Sequence, residues 1–203
     1  IYFLEGHGER SIDSADKEGY SKAKASLEKD GHKAEKLLLL QTGKIPDDID
    51  LLVVAGPVKP LLPQEMGLIG SYLNQGGAAL FMIDPQTEID PQTDPELKDF
   101  LLTWGVELND DLVIDPLSRL FGGDYTAPVI NTFAAHDITK DFALATIFPL
   151  LRSVTVKTIE NIESIELLKS SPNSWAKVDF KSDSDNIKFD EKQDRKGPVS
   201  VAL

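Results

Sequence analysis

Apolar and polar positions along the first half of the chain follow two periods, one suited to strands and one to helices. Ile1-Tyr2-Phe3-Leu4 is a short β-type run that leads straight into Glu5-Gly6-His7-Gly8-Glu9-Arg10. Tyr20, Ala23 and Leu27 then fall on one face of a charged helix, and Gly31 stands in the usual helix-stop position. Ala34 to Leu40 reads as a second strand, Gly43 to Asp48 as a surface turn, and Leu51 to Ala55 as a strand apolar on both faces. A strand buried on both sides suits a parallel sheet between two helical layers. Pro63 opens the next helix, with Met66, Ile69 and Leu73 turned inward and Gly76-Gly77 as its stop. Ala78 to Ile83 gives a fourth strand. Asp94-Pro95-Glu96 combines an N-cap acid, proline at the first helical position and an acid in the first turn. Leu97, Phe100, Leu101 and Trp104 supply the apolar stripe, and Leu112 to Ile114 gives a fifth strand. The alternation predicts an α/β fold with a doubly wound, mostly parallel sheet.

Beyond Pro116 the helical period fades. Gly122-Gly123 and Pro128 punctuate short runs, and Leu150 to Lys157, Ile165 to Lys169 and Val199 to Leu203 read as further strands. The expected organisation is an α/β sheet core over 1–116 and a β-rich extension over 117–203 that completes the same domain, with a mobile polar loop at 182–196. An apolar strand at the first residue, with no initiator methionine, reads as the start of a domain excised from a longer protein.

Composition narrows the function classes. Formal charge is −13, and ten acids against one base lie between Asp84 and Asp115. Such a surface repels nucleic acid and anionic headgroups, so neither is expected as a direct ligand. Cysteine is absent, which removes disulfides, thiolate nucleophiles and thiolate metal sites. No apolar run approaches the roughly 20 residues that span a bilayer.

Three loops follow strand ends: Glu5 to Arg10, Gly56-Pro57 and Asp84-Pro85. Ligands of open α/β sheets bind at that edge, so His7, Glu9, Arg10, Gly56 and Asp84 are the candidate ligand-binding residues. Gly6-His7-Gly8-Glu9-Arg10-Ser11 reproduces two glycines of a dinucleotide fingerprint but puts serine at the third, and the next helix begins too late to meet a phosphate. His7, Glu9 and Asp84 have donor types that suit zinc or manganese. Their spacing favours local hydrogen bonding, and neither a metal nor a cofactor is expected. The elbow turns Ala55-Gly56-Pro57-Val58 and Ile83-Asp84-Pro85 offer no nucleophile. His32 and His136 read as turn residues. Asp183, Asp185 and Asp190 lack the glycine and glutamate of a calcium loop and read as a solvated segment.

Five stretches occur in a characteristic order: Tyr2 to Glu9, Asp50 to Pro57, Gly76-Gly77 with Asp84-Pro85, Trp104-Gly105-Val106, and Ser171-Pro172-Asn173-Ser174-Trp175-Ala176. Together they resemble the auxiliary component of gliding-motility-type ABC transport systems (GldG-like proteins). Asp137 departs from the resemblance, since proline is expected after His136. The resemblance implies a flavodoxin-like sheet similar to class I glutamine amidotransferases without their cysteine. It also implies an extracytoplasmic domain flanked by membrane anchors, with the permease and ATPase subunits as partners. No catalytic residue is implied. The leading expectation is a non-catalytic domain acting in binding or complex assembly. The alternative is a carbohydrate- or metal-dependent binding module or enzyme using the strand-end crevice.

Overall fold

In a computed structural model describing residues 1–85, 94–180 and 187–203, the fold is mixed α/β, with one parallel sheet and several antiparallel ones. The chain divides into two compact units: residues 1–83 with 94–97, and Asp84-Pro85 with 98–203.

In the first unit, strands β1 (Tyr2–Leu4), β2 (Glu35–Leu37), β3 (Leu52–Ala55) and β4 (Ala79–Met82) form a parallel sheet in the order β2-β1-β3-β4. Every residue of β3 is buried, as a middle strand covered on both faces requires. One face carries Phe3, Ile12, Ala34, Val53 and Ala55, against which Tyr20 and Leu27 pack. Helix α1 (Ser21–Lys29) thereby covers that face through its apolar stripe, although none of its own residues is fully buried. Leu52 and Val54 point the opposite way by the two-residue period of a strand. Leu38 and Leu40 are exposed where a longer second strand was expected; β2 stops at Leu37 and a single turn, α2 (Leu39–Thr42), follows, ended by Gly43 in the left-handed region. Helix α3 (Pro63–Asn74) buries Glu65, Met66 and Ile69.

The second unit departs from the expected sheet. Helix α4 (Pro95–Thr103) leads into β5 (Val106–Leu108) and β6 (Leu112–Ile114), and neither joins the parallel sheet. Three residues between them are too few for a parallel crossover, which needs a dozen or more. Both strands take antiparallel partners from the C-terminal third: β10 (Val154–Val156) pairs with β5, and β12 (Trp175–Lys177) pairs with β6. The fifth strand of the predicted parallel sheet is therefore a strand of a separate antiparallel one. A buried apolar run specifies burial, and its pairing direction comes from residues remote in sequence.

A short 3₁₀ helix (Pro116–Phe121) is capped by Asp115, whose Oδ1 accepts from the Leu117 amide. Strands β7 (Val129–Ile130), β8 (Thr132–Phe133), β9 (Thr146–Ile147), β11 (Leu168–Lys169), β13 (Arg195–Lys196) and β14 (Ser200–Ala202) complete the small sheets. These are β14-β11-β8, β13-β12-β6, β7-β9 and β10-β5. Asp111 ties this unit together. Its Oδ2 accepts from the Ser153 hydroxyl and from Arg195 Nη2, each at 2.7 Å, and its Oδ1 accepts from the Ser153 amide at 2.9 Å. Arg152 is nearly sealed off and donates to the Asn109 carbonyl and to Asp110. Burial pulls its guanidinium below the ordinary arginine value, and the neighbouring Asp110 and Asp111 oppose that shift.

Part of the segment expected to be a polar loop is structured. Asp194 is buried, with its carboxylate accepting from Lys177 Nζ and from the amides of Val178 and Asp190, and β13 follows it. Asp183 and Asp185 lie outside the described residues.

Candidate functional site

The end of β1 turns sharply because Gly6 and Gly8 both hold positive φ, at +132° and +81°. Gly8 is also pressed against Val58, whose side chain occupies the space a Cβ would need. Backbone hydrogen bonds fix the loop to the end of β3. The Arg10 amide donates to the Ala55 carbonyl at 2.8 Å, and the His7 carbonyl accepts from the Val58 and Lys59 amides at 2.9 Å each.

This turn drives His7 inward, to 5 % exposure. Its Nδ1 lies 3.2 Å from Glu9 Oε1, and its own amide donates to Glu9 Oε2 at 2.7 Å. Its Nε2 lies 2.8 Å from Glu65 Oε2 on α3. Sequence reasoning missed Glu65, although a signal existed. It stands at the third position of a helix opened by proline, where a glutamate reaches back to the helix start. Its Oε2 indeed accepts from the Leu62 amide at 3.1 Å. The other oxygen, Oε1, is buried without a protein partner.

An imidazole that faces a carboxylate oxygen at both ring nitrogens donates to both only as the imidazolium. In that state the set holds one positive and two negative charges away from water. Chemically the arrangement is a fastening: it pins the strand-end loop to the helix beside it. It leaves no ring nitrogen free to act on a substrate or to ligate an ion.

The other predicted site residues each have partners of their own. Arg10 pairs with Glu18. Gly56 is buried in the left-handed region at φ 62°, and its amide donates to the Met82 carbonyl at 2.8 Å. Asp84 is an exposed residue of the second unit, where its carbonyl accepts from Arg152 Nη1 at 3.1 Å. Among the described residues no group of three or more His, Asp or Glu side chains is placed to hold a metal ion. The same residues contain no helix long and apolar enough to cross a membrane. His136 sits in a turn, its Nδ1 accepting from the Ile138 amide, with Asp137 paired to Lys140. The Ser171–Ala176 stretch is structural: the Ser171 hydroxyl donates to Asp115 Oδ1 at 3.0 Å, and Ser174 Oγ lies 2.7 Å from Ser170 Oγ.

Among solved structures, the mmIFT52 N-terminal domain is similar in fold, with a TM-score of 0.63 at 18% identity over 83% of this chain and 76% of that one. No curated protein matches. The family model described as ABC-type uncharacterized transport system matches residues 1–203, and the chain belongs to that family of ABC transport auxiliary proteins.

Proposed function

We propose that this chain is a non-catalytic, extracytoplasmic module of an ABC transport auxiliary protein of the gliding-motility type, acting in binding or complex assembly. Its partners in this reading are the permease and ATPase subunits, and its parent protein is anchored in the membrane. The observation that carries the proposal is the expenditure of His7, whose two ring nitrogens are taken by Glu9 and Glu65 of the same chain. The turns that follow β3 and β4 carry no nucleophile. A sheet order of 2-1-3-4 supports the flavodoxin-like reading, whose order begins the same way.

Purification of the full-length parent from its own membranes under mild detergent tests this. Permease recovered in stoichiometric amount supports it, and parent recovered alone counts against it.

A second reading, a small-molecule site at the same edge, draws on Gly6, which is exposed with no atom near its Cβ position, and on the unpartnered Glu65 Oε1. A thermal-shift series with polyols and divalent cations, repeated on Glu9→Ala, measures it directly. No shift at millimolar ligand removes it.

A further inference from the structure

An uncharged apolar run of the second half is largely exposed. Phe142-Ala143-Leu144-Ala145-Thr146-Ile147-Phe148 carries no charge, yet Leu144 is 73 % exposed, Ile147 52 % and Phe142 46 %. Buried, such a run would be ordinary core. Contiguous apolar surface left open to water marks an interaction site more often than an isolated apolar residue does.

Its position in the fold says what kind. β7 and β8 run outward in succession, and the chain turns at 134–141 and returns alongside them. Val129 pairs with Ile147 and Ile130 with Thr146, while the Phe133 and Phe142 rings meet edge to face at 5.1 Å. The outgoing limb is held on its far side, where β8 pairs with β11. The returning limb is not: among the described residues β9 pairs with β7 alone. Phe148 and Leu150 donate their amides inward, to the Pro128 and Thr126 carbonyls. The alternation of an antiparallel ladder then turns the amide of Ile147 outward. Exposed edges of this kind are usually blunted by lysine, proline or a bulge. Here lysine is missing from the run, and the first proline, Pro149, comes after it. Beside the turn lies an open groove of about 560 Å³ lined by Phe133, His136, Thr139, Lys140 and Phe142 among others.

Charge selects the occupant. Across 124–148 the acids Asp124, Asp137 and Asp141 outnumber the single base Lys140, and Lys140 is engaged by Asp137. The whole chain carries −13. A second copy and an anionic lipid surface are both repelled by such a field, whereas a cationic partner is drawn to it.

We propose that β9, with the exposed apolar run that leads into it, is a docking strand for an extended, apolar segment of a partner protein flanked by basic residues, which adds to β9 at Ile147 and packs against Leu144 beside it. Strand addition of this type draws affinity from main-chain hydrogen bonds and register from alternate side chains. The proposal rests on the assembly reading above and locates its surface.

The test uses the full-length parent in its native membranes, with a photo-crosslinking amino acid in place of Ile147 and, as control, in place of Glu28 on α1. Expected is an adduct at 147, absent at 28, that mass spectrometry maps to an apolar segment with adjacent Lys or Arg in a protein of the transport complex. Leu144→Lys, at a position too exposed to affect folding, lowers the yield about tenfold or more. Asp141→Lys lowers it as well. An adduct to lipid, an adduct to a second copy, no adduct, or a yield indifferent to Leu144→Lys each overturns the proposal. Copurification of the permease distinguishes the two failures: retained without an adduct, it removes this surface and leaves the assembly reading standing; lost altogether, it removes the assembly reading.

Discussion

Replacing His7 by leucine tests the fastening at the end of β1. The side chain is of similar bulk, so the cavity term is small, and what changes is charge. Glu9 and Glu65 have side-chain exposures of 0% and 1%, and without the imidazole they stand as buried carboxylates with no shared partner between them. Breaking a buried ion pair by removing one partner costs about 3–5 kcal/mol. Hydrogen exchange reads the loss locally, because the Val58 and Lys59 amides donate to the His7 carbonyl and the Arg10 amide to Ala55. At about 1.4 kcal/mol per decade, their exchange in His7→Leu should accelerate by roughly two to three and a half powers of ten.

A second substitution isolates the charge. Gln at position 65 keeps an acceptor for the Leu62 amide but carries no charge, so His7→Leu in a Glu65→Gln background should cost less by about 1.5–3 kcal/mol. Urea denaturation followed by far-ultraviolet circular dichroism gives the cycle. If exchange at Val58 and Lys59 rises less than about tenfold, or the two substitutions are additive, the charge-paired fastening is refuted.

Three further outcomes follow from other parts of the molecule. Gly8→Ala meets both a positive φ and the Val58 side chain, so it should destabilise by more than Gly31→Ala, which shares the positive φ but has open space; equal denaturation midpoints would contradict the close approach. Asp111→Ala, which removes a carboxylate 2% exposed and leaves the amide and hydroxyl of the buried Ser153 without their acceptor, should cost about 2–4 kcal/mol by the penalty for orphaned buried polar groups. Glu166 is held below the ordinary glutamate range by hydrogen bonds from Lys169 and then Ser200. Its folded value is depressed, so its contribution is complete above the unfolded glutamate value and is lost as pH falls through the folded one. Glu166→Gln should lower the melting temperature slightly at neutral pH and flatten the acid limb of the profile, so that the two proteins converge as pH falls below the ordinary carboxylate range.

Much of the first unit is legible because its signals are local. β1, β3, α3 and β4 announce themselves by apolar period, and the helix opened by Asp94 and Pro95 forms where its cap stands, with Asp94 Oδ1 accepting from the Glu96 amide. The second unit is less legible because its strands are two or three residues long and find partners far along the chain. Trp175–Lys177 has too few residues to show a period, yet it is the centre strand of its sheet. At the candidate site His7 and Glu9 were visible as convergent polar groups, whereas their alliance with Glu65 depends on how the glycine turn aims the imidazole. The pairing of Arg10 with Glu18 was not visible in the sequence, because it depends on how the loop between them folds.

The pairing of β6 with β12 sets an order on biosynthesis. Leu112–Ile114 emerges from the ribosome long before Trp175–Lys177, which among the described residues is the one strand paired with it, so the fully apolar β6 must stay shielded while the intervening chain is made. The parallel sheet, complete by Met82, has all its strands much sooner. Nascent chains stalled between the two points should therefore carry a protease-resistant amino-terminal portion and an unprotected remainder.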